Sequence, residues 1–398
     1  MREWAEICFD RLLRYIRERA YGGYDPFDGL NSRILKLLLI DRVRPLARIA
    51  QQIVKRSPFN LRPLFLVPKK QNPKSLALCL SALCHHPNSD SYTAEAVRLT
   101  DKLIATRSPG WDPPCWGYNF RWESRLFSLP AFSPNAICTV FAGEALLDAW
   151  LGFGLGKCRE MAEGAAEFLI THLNVTEHES GRCFSYTTID HSATHNVNLL
   201  VSAFLARAAE ELERPQLLEN LQLHIDFTLA HQRQDGSWPY GEDPGNEWVD
   251  GIHQGFNLLA LESLRRFSSS RIDDLDRALK LGFRYYLENL FGDDYLPKYY
   301  DQRTYPLDSH TFAVALITLA RLSHLDDRAE QAAEKVLNHG RNLLWLERKG
   351  LFAYRKHRYY RIRTPFMRWS QCWMLYALAE YLHGPQTDRT DLSLPAVQ

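Results

Sequence analysis

Two kinds of helical pattern alternate along the chain. Stretches such as 157–173, 215–232 and 274–290 carry polar residues on one face and Ala or Leu on the other. Stretches such as 196–206 and 312–320 are apolar almost all round. A helix with one apolar face packs on one side, whereas a helix that is apolar all round is buried on every side. The pattern therefore predicts amphipathic outer helices that alternate with buried inner helices.

The start of the buried helix recurs six times, at intervals of about 60 residues. These starts lie at Pro73, Pro134, His195, His253, His310 and Arg368. The period is too long for common solenoid helix pairs and fits two helices and a structured loop. Six such hairpins close into a ring, so we predict an all-α fold consisting of a single (α/α)6 barrel, or toroid, with long aromatic loops at one end.

The repeat also predicts the domain organisation. We expect N-terminal helices in 1–56 that complete the barrel, one toroid over 57–384 and a disordered tail over 385–398. The long loops precede the N-termini of the inner helices, where free N–H groups and partial positive charge point at the ring axis. A concave, aromatic-lined funnel is the ligand site expected there.

Composition narrows the classes of partner. The 48 Lys and Arg nearly balance the 47 Asp and Glu, which gives no field suited to nucleic acid. No apolar run reaches the length of a membrane span, and the N-terminus lacks the pattern of a signal peptide. We therefore expect no transmembrane segment and a cytoplasmic location. The eight Cys show no C-x-x-C spacing and are expected to be reduced, with no metal site and no cofactor.

The loop between residues 231 and 253 carries the densest set of candidate catalytic groups. Glu242, Glu247 and Asp250 are carboxylates, and glycosidases need two of these across the scissile bond. Tyr240 and His253 are candidates for proton transfer. Trp238 and Trp248 are candidates for stacking on a sugar ring, although Trp238 also fits a helix-closing turn, and each acid also fits a solvated loop.

Three histidines occupy similar places in the repeat. His195, His253 and His310 begin three successive inner helices, so we expect them to face a common axis. Asn196, beside His195, offers an amide that neutralises a carboxylate while a neighbouring group abstracts the adjacent proton. Proton transfer is favoured over a metal site because the repeat spreads the three histidines around the ring. Helix capping is the structural alternative for both residue types.

Cations and aromatic residues accumulate in the same loops. Pyranose rings stack on aromatic faces and Arg binds their carboxylates, so these residues predict binding of an acidic glycan. Cation–π packing among the loops is the alternative. The candidate binding residues, besides Trp238, Trp248 and His310, are Trp116, Tyr118, Trp122, Arg125, Lys298, Tyr299, Asp308, Arg368 and Trp369.

The period, the buried inner helices and the Gln232-Arg-Gln-Asp-Gly-Ser-Trp238 turn resemble the α/α-toroid superfamily. This group includes terpenoid cyclases, six-hairpin glycosidases, and toroid polysaccharide lyases and uronyl epimerases. The chain lacks the D-x-D-D motif of triterpene cyclases, and the W-x-R-G-N-G-W string of unsaturated-glucuronyl hydrolases is replaced by Trp248-Val-Asp-Gly-Ile-His253. Toroid lyases use Asn, His, Tyr and Arg, which His195-Asn196, Tyr240 and Arg125 supply. The chain also resembles bacterial toroid proteins associated with surface-polysaccharide synthesis.

Three hypotheses follow. The first is a carbohydrate-active enzyme that abstracts the C5 proton of a uronate in an acidic polysaccharide or oligosaccharide, as a lyase or an epimerase. The second is a six-hairpin glycoside hydrolase that draws its acid and base from Glu242, Glu247, Asp250 and Asp308. The third is a non-catalytic glycan-binding or assembly protein.

Overall fold

The computed structural model describes residues 1–124, 128–267 and 271–384. Within them the six inner helices predicted from the repeat are all present. They are α4 (Pro73–Cys84), α6 (Ala136–Phe153), α8 (His195–Glu211), α10 (Gly251–Phe267), α12 (Ser309–Arg321) and α14 (Trp373–His383). Each packs on the next and α14 packs back on α4, so the inner helices form a closed ring. The all-α (α/α)6 barrel predicted from the sequence is confirmed.

Amphipathic helices surround this ring. The outer helices are α1 (Arg2–Arg17), α5 (Thr93–Ala105), α7 (Gly156–His172), α9 (Leu221–Ala230), α11 (Ile272–Asn289) and α13 (Arg328–Leu343). Because α1 precedes all the others and packs on α14, the two ends of the described chain meet in one hairpin. Two further helices, α2 (Arg33–Leu37) and α3 (Arg44–Arg56), lie outside the alternation. The predicted tail 385–398 and Arg125 lie outside the described residues.

The loops contain only short antiparallel strands. These pair as β1 with β2, β3 with β4, β5 with β6, β8 with β9, and β7 with β10 and β11. The strands are β1 (Gly22–Gly23), β2 (Lys70–Gln71), β3 (Trp122–Glu123), β4 (Ser128–Leu129), β5 (Val175–His178), β6 (Gly181–Phe184), β7 (Leu307–Asp308), β8 (Trp345–Leu346), β9 (Leu351–Phe352), β10 (Arg355–Lys356) and β11 (Arg361–Ile362). They stiffen the loops before the inner helices.

Inner helix α6 is long and apolar enough to cross a membrane by length and composition. In the barrel, however, 67% of it is buried. Its apolar surface is accounted for by the inner ring, because a helix surrounded by other helices is apolar on all faces.

A network of ion pairs joins the C-terminal ends of five inner helices, α4, α6, α8, α12 and α14. We call it the charged plug; it consists of His85, Asp148, Arg207, Arg321 and Glu380. Asp148 accepts from Arg207 at 2.8 Å and lies 3.1 Å from His85, while Arg321 donates to Glu380 at 2.6 Å. Although burial opposes ionisation, His85 and Arg207 hold the pKa of Asp148 below its usual range. Each charge in the plug therefore has a partner.

Candidate functional site

Three aromatic rings meet on the axis of the barrel and form what we call the aromatic floor. Phe141 of α6, Phe256 of α10 and Trp373 of α14 lie with ring centroids 5.3 to 6.1 Å apart. These helices alternate around the ring, so their side chains can meet only at its centre. Phe141 keeps part of its surface exposed although it lies among inner helices. The floor is therefore not completely sealed at Phe141.

A lysine without a counter-ion lies on this floor. The Lys74 ammonium is 3.8 Å from the ring centroid of Phe141 and 5.1 Å from that of Trp373. Among the ion pairs of the described residues none involves Lys74, which is 3% exposed. Burial, and then the charge of Arg368, holds the pKa of Lys74 well below its usual range. A buried cation without an anion is costly, which suggests that a ligand supplies the anion.

His310 lies beside this lysine with both ring nitrogens unsatisfied. Its ring stacks on Trp373 at 4.5 Å and meets the edge of Trp369 at 4.6 Å. Both nitrogens are buried and have no hydrogen-bond partner in the described chain. Burial, and then the charges of Lys74 and Arg368, holds the pKa of His310 well below its usual range. An unsatisfied buried polar group costs about 1–3 kcal/mol, so this ring is a candidate for direct contact with a ligand.

His253 is held in a defined orientation by an acid. The Asp250 carboxylate lies 2.8 Å from His253 Nδ1 and also accepts the backbone N–H groups of Ile252 and His253, at 2.9 and 2.7 Å. Asp250 thereby caps α10 and fixes Nδ1 as the protonated nitrogen. Nε2 makes no hydrogen bond to any residue that the structure describes, and the side chain is 26% exposed. This arrangement is that of a base oriented by a carboxylate.

His253 and His310 both lie beside the ring of Phe256. Their centroids are 6.4 and 6.0 Å from that of Phe256. His253 is also bordered by Tyr240, at 4.6 Å, and by Trp248, at 5.5 Å. Two imidazoles, one oriented by an acid and partly exposed and one buried without hydrogen-bond partners, thus lie beside the aromatic floor.

The acidic residues at the mouth of the funnel already form ion pairs. Arg368 donates to both oxygens of Asp25, at 2.7 and 3.0 Å, and its guanidinium lies over the ring of Tyr118. Asp308 caps α12, accepts from the Trp369 indole at 2.9 Å and pairs with Arg355. These predicted binding residues therefore border the mouth, but the charges of Arg368 and Asp308 already have partners.

The mouth itself is lined by half-buried aromatic rings. Trp248 stacks on Tyr240 at 4.4 Å. On the opposite side Phe27 contacts Trp122 and Trp369 at 6.1 and 5.7 Å, and the ammonium of Lys55, from α3, lies 3.9 Å above its ring. Burial, and then the charge of Arg355, lowers the pKa of Lys55 to about 7. The N-terminal segment thus forms one wall of the mouth.

His195 does not share this position. Its Nε2 lies 2.7 Å from Glu242 and its ring stacks on Phe227, so it is buried between α8 and outer helix α9. His195 is the first residue of its helix, whereas His310 is the second and His253 the third. Each step along a helix rotates a side chain by about 100°, so the position in the helix does not by itself fix where these histidines point. The contacts with Glu242 and Phe227 are what place His195 away from the axis. The expectation of three histidines on one axis is therefore wrong for His195.

The remaining predicted residues divide into core and rim. Trp116 and Trp238 are at most 1% exposed and donate to the carbonyls of Leu103 and Thr228, at the ends of two outer helices. They hold hairpins together and do not line the axis. Tyr299 lies at the mouth under Arg355, and Lys298 donates to the Asp301 carbonyl.

Asn196 was predicted from the sequence as a site residue, whereas Lys74 was not. Asn196 is buried and its Oδ1 has no partner among the described residues. Lys74 was missed by the sequence analysis, although it is the one charge in the otherwise uncharged helix α4. No group of three or more His, Cys, Asp or Glu suited to a metal ion occurs in the described parts of the chain.

Known proteins resemble this chain in structure but not in sequence. No family model matches the chain, and no curated protein matches it by sequence. Among solved structures, cellobiose 2-epimerase from Bacillus thermoamylovorans has a TM-score of 0.61 at 11% identity, covering 78% of this chain and 87% of its own.

Two enzymes with other reactions are similar as well. An α-mannanase from Bacteroides thetaiotaomicron has a TM-score of 0.58 at 12% identity, covering 78% of this chain and 85% of its own. A polysaccharide lyase has a TM-score of 0.55 at 10% identity, with 78% and 89% covered. Identities this low establish the fold and leave the reaction open. The protein has the fold of the α/α-toroid superfamily.

Proposed function

We propose that this protein is a carbohydrate-active enzyme that moves a proton at a carbon next to a carbonyl or carboxyl group of a sugar. The observation that carries the proposal is the arrangement of His253 and His310. Asp250 orients the first ring and leaves its Nε2 free, and the second ring has no partner at either nitrogen. One imidazole can remove the proton and the other can return it, as epimerisation requires.

Lys74 supplies the electrostatic part of this reaction. Removing a proton next to a carboxylate places negative charge on the carboxylate oxygens. A fixed cation in a site that excludes water stabilises such a charge more strongly than it stabilises the ground state. Lys74 lies over the aromatic floor with no competing acid, and a bound carboxylate would offset the burial that lowers its pKa and hold it protonated. The floor itself offers flat faces on which a pyranose ring can stack.

The unpaired charge of Lys74 favours an acidic substrate. A uronate carries its carboxylate next to C5, so Lys74 would bind the carboxylate while His253 or His310 abstracts the C5 proton. Return of the proton to the other face gives an epimer, whereas loss of the substituent at C4 gives an unsaturated sugar. Epimerases and a lyase both share this fold, so the choice between the two outcomes rests on whether a second group returns the proton.

Glycoside hydrolysis has less support. That reaction needs a pair of carboxyl groups free to act as acid and base. Glu242 is bonded to His195, Asp250 to His253 and the N-terminus of α10, and Asp308 to Arg355 and Trp369. Glu247 accepts a backbone N–H of its own loop and is exposed. All four proposed acids thus have other partners or lie away from the axis.

The test follows a proton. The protein is incubated in D2O with uronate-containing oligosaccharides and with neutral disaccharides, and deuterium incorporation, absorbance of unsaturated uronates and new reducing ends are measured. We expect deuterium in uronates without cleavage. Deuterium in the neutral sugars alone would overturn the acidic substrate, reducing ends alone would indicate hydrolysis, and binding without any reaction would leave only a glycan-binding function.

Variants locate the reaction. His253→Gln should lower kcat by about 10³-fold, within the range for loss of a general base, and His310→Gln by a similar factor. His191→Gln, an exposed loop histidine, serves as the matched control and should keep full activity. Equal activity of His253→Gln and His191→Gln would contradict the assignment.

A further inference from the structure

We propose that the outer surface of the N-terminal segment docks on a lipid bilayer with anionic headgroups. We call it the docking surface. It comprises the exposed apolar residues Leu37, Leu38, Leu39, Val43, Leu46, Ile49, Ile53, Phe59, Leu64 and Leu66, together with the basic side chains among them. The inference is independent of the reaction proposed above.

Apolar exposure is concentrated in this segment. The ten apolar residues are half of the large hydrophobic side chains that the described chain exposes, yet they lie within 30 consecutive positions. Leu37 is 82% exposed and Phe59 77%. Scattered apolar residues are normal on a protein surface, whereas a continuous patch marks an interaction site.

Helix α3 shows that the exposure is not a failure to pack. Its buried face carries Ala47, Gln51 and Val54, which pack beneath it. A second apolar stripe, formed by Leu46, Ile49 and Ile53, faces outward with exposures of 48, 56 and 56%. The helix therefore packs on the protein with one face and exposes a second apolar face to the outside.

The charge of the segment identifies that partner. Residues 33–70 hold a single acid, Asp41, against ten cations: Arg33, Lys36, Arg42, Arg44, Arg48, Lys55, Arg56, Arg62, Lys69 and Lys70. Two of these cations, Arg62 and Arg44, are engaged by Asp28 and Glu123. The near-zero net charge of the whole chain conceals this cluster.

The cations beside the apolar stripe are free to act on a partner. Arg42, Arg48 and Arg56 are exposed and make no ion pair with any described residue. Arg48, Ile49, Ile53 and Arg56 line one open groove. A helix with an apolar stripe beside a basic stripe is suited to the boundary between headgroups and acyl chains, where both stripes are satisfied together.

A second copy of the chain fits this surface less well. Two docking surfaces brought face to face would oppose one cationic cluster to another, and like charges at an interface are unfavourable. Docking on a bilayer has a geometric consequence as well. Helix α3 also carries Lys55, which lies over Phe27 at the mouth. The docked protein would therefore hold its mouth on the side of the membrane.

The experiment uses the full chain and two vesicle populations, phosphatidylcholine alone and phosphatidylcholine with phosphatidylglycerol. We expect sedimentation with the anionic vesicles, weakened by salt. The triple variant Arg42→Ser/Arg48→Ser/Arg56→Ser should lower the partition coefficient by about 100-fold, since each cation near an anionic surface contributes about fivefold. The triple variant Leu46→Ser/Ile49→Ser/Ile53→Ser should lower it by at least about tenfold.

A matched control replaces three apolar residues of similar exposure on outer helices, Ile170, Leu223 and Ile272, by Ser. This control should bind as the wild type does, and circular dichroism checks that every variant is folded. The proposal would be overturned if the wild type bound neither vesicle population, or if the control variant lost as much binding as the docking-surface variants. A dimer in sedimentation velocity that Leu46→Ser/Ile49→Ser/Ile53→Ser dissociates would also overturn it.

Discussion

The two ends of the barrel axis hold charges in opposite ways. In the charged plug each cation meets an acid, as where Arg207 meets Asp148 and Arg321 meets Glu380. At the mouth end Lys74 and His310 have no acid and lie on aromatic rings. Both ends are buried, so burial does not explain the difference.

The helix dipoles make the contrast sharper. The inner helices direct their positive ends to the mouth and their negative ends to the charged plug. Arg207 and Arg321 lie toward the C-terminal ends of α8 and α12, where a cation is favoured, whereas Lys74 lies in the first turn of α4, where it is not. An arrangement that stabilises the fold pairs its charges. An arrangement that opposes both the dipole and burial is the one that the proposed binding of an acidic ligand would require.

The largest effect is expected from breaking the charged plug. Asp148→Asn leaves Arg207 with Glu144 and His85 with Glu380 as their only acids, so we expect the free energy of unfolding to fall by about 3 kcal/mol, the lower end of the range for loss of one partner of a buried pair. Urea denaturation measures this. The control is Asp226→Asn on α9, which breaks a surface ion pair with Arg271. It should lower the free energy of unfolding by less than about 1 kcal/mol. Equal losses would mean that the charged plug adds no more than a surface pair.

Removing the unpaired cation should lower activity and leave stability unchanged or higher. Lys74→Met keeps the length of the side chain and removes a charge that the fold does not compensate. We expect activity on the uronate substrate to fall by about 10²-fold, as when one electrostatic donor is lost. The free energy of unfolding should stay the same or rise by roughly 1 kcal/mol. Lys157→Met, on the surface of α7, controls for loss of a lysine. A destabilised Lys74→Met would show that the cation supports the fold.

The smallest effect is a dependence of stability on pH. The pKa of Lys74 is lower in the folded than in the unfolded protein, so the unfolded state binds more protons as the pH approaches the ordinary value of 10.5 from below. The wild type should therefore gain stability relative to Lys74→Met as the pH rises toward 10.5, with a slope of no more than about 1.4 kcal/mol per pH unit and a total close to the roughly 1 kcal/mol expected for the substitution. Unfolding of both proteins at each pH measures the difference. A constant difference would show that Lys74 titrates normally.

The sequence was most informative where many residues repeat one pattern. The six buried helices were recognised because apolar character on all faces of a helix has few explanations. The loop 231–253 was recognised as chemically unusual, and Asp250, His253 and Tyr240 from it do lie together at the mouth. His310 was recognised because it stands at the start of an inner helix in the repeat. Each of these signals is local in the chain.

Other assignments depended on contacts that no local pattern contains. His195 and His253 look equivalent in the repeat, yet His195 contacts Glu242 and the outer-helix residue Phe227, whereas His253 lies beside Phe256 of the inner ring. Trp116 and Trp238 stand in loops rich in ligand-binding residue types, but their indoles bond to the ends of outer helices.

The sequence by itself determined the ring, because the period and the apolar pattern of its helices leave each inner helix with one way to be buried. Only the tertiary structure decided which polar residues face the axis. That choice depends on the rotation of each helix and on whether a distant acid, from another hairpin, reaches a given cation. Lys74 has no such acid and Arg207 does, and the residues around each in the chain do not distinguish them.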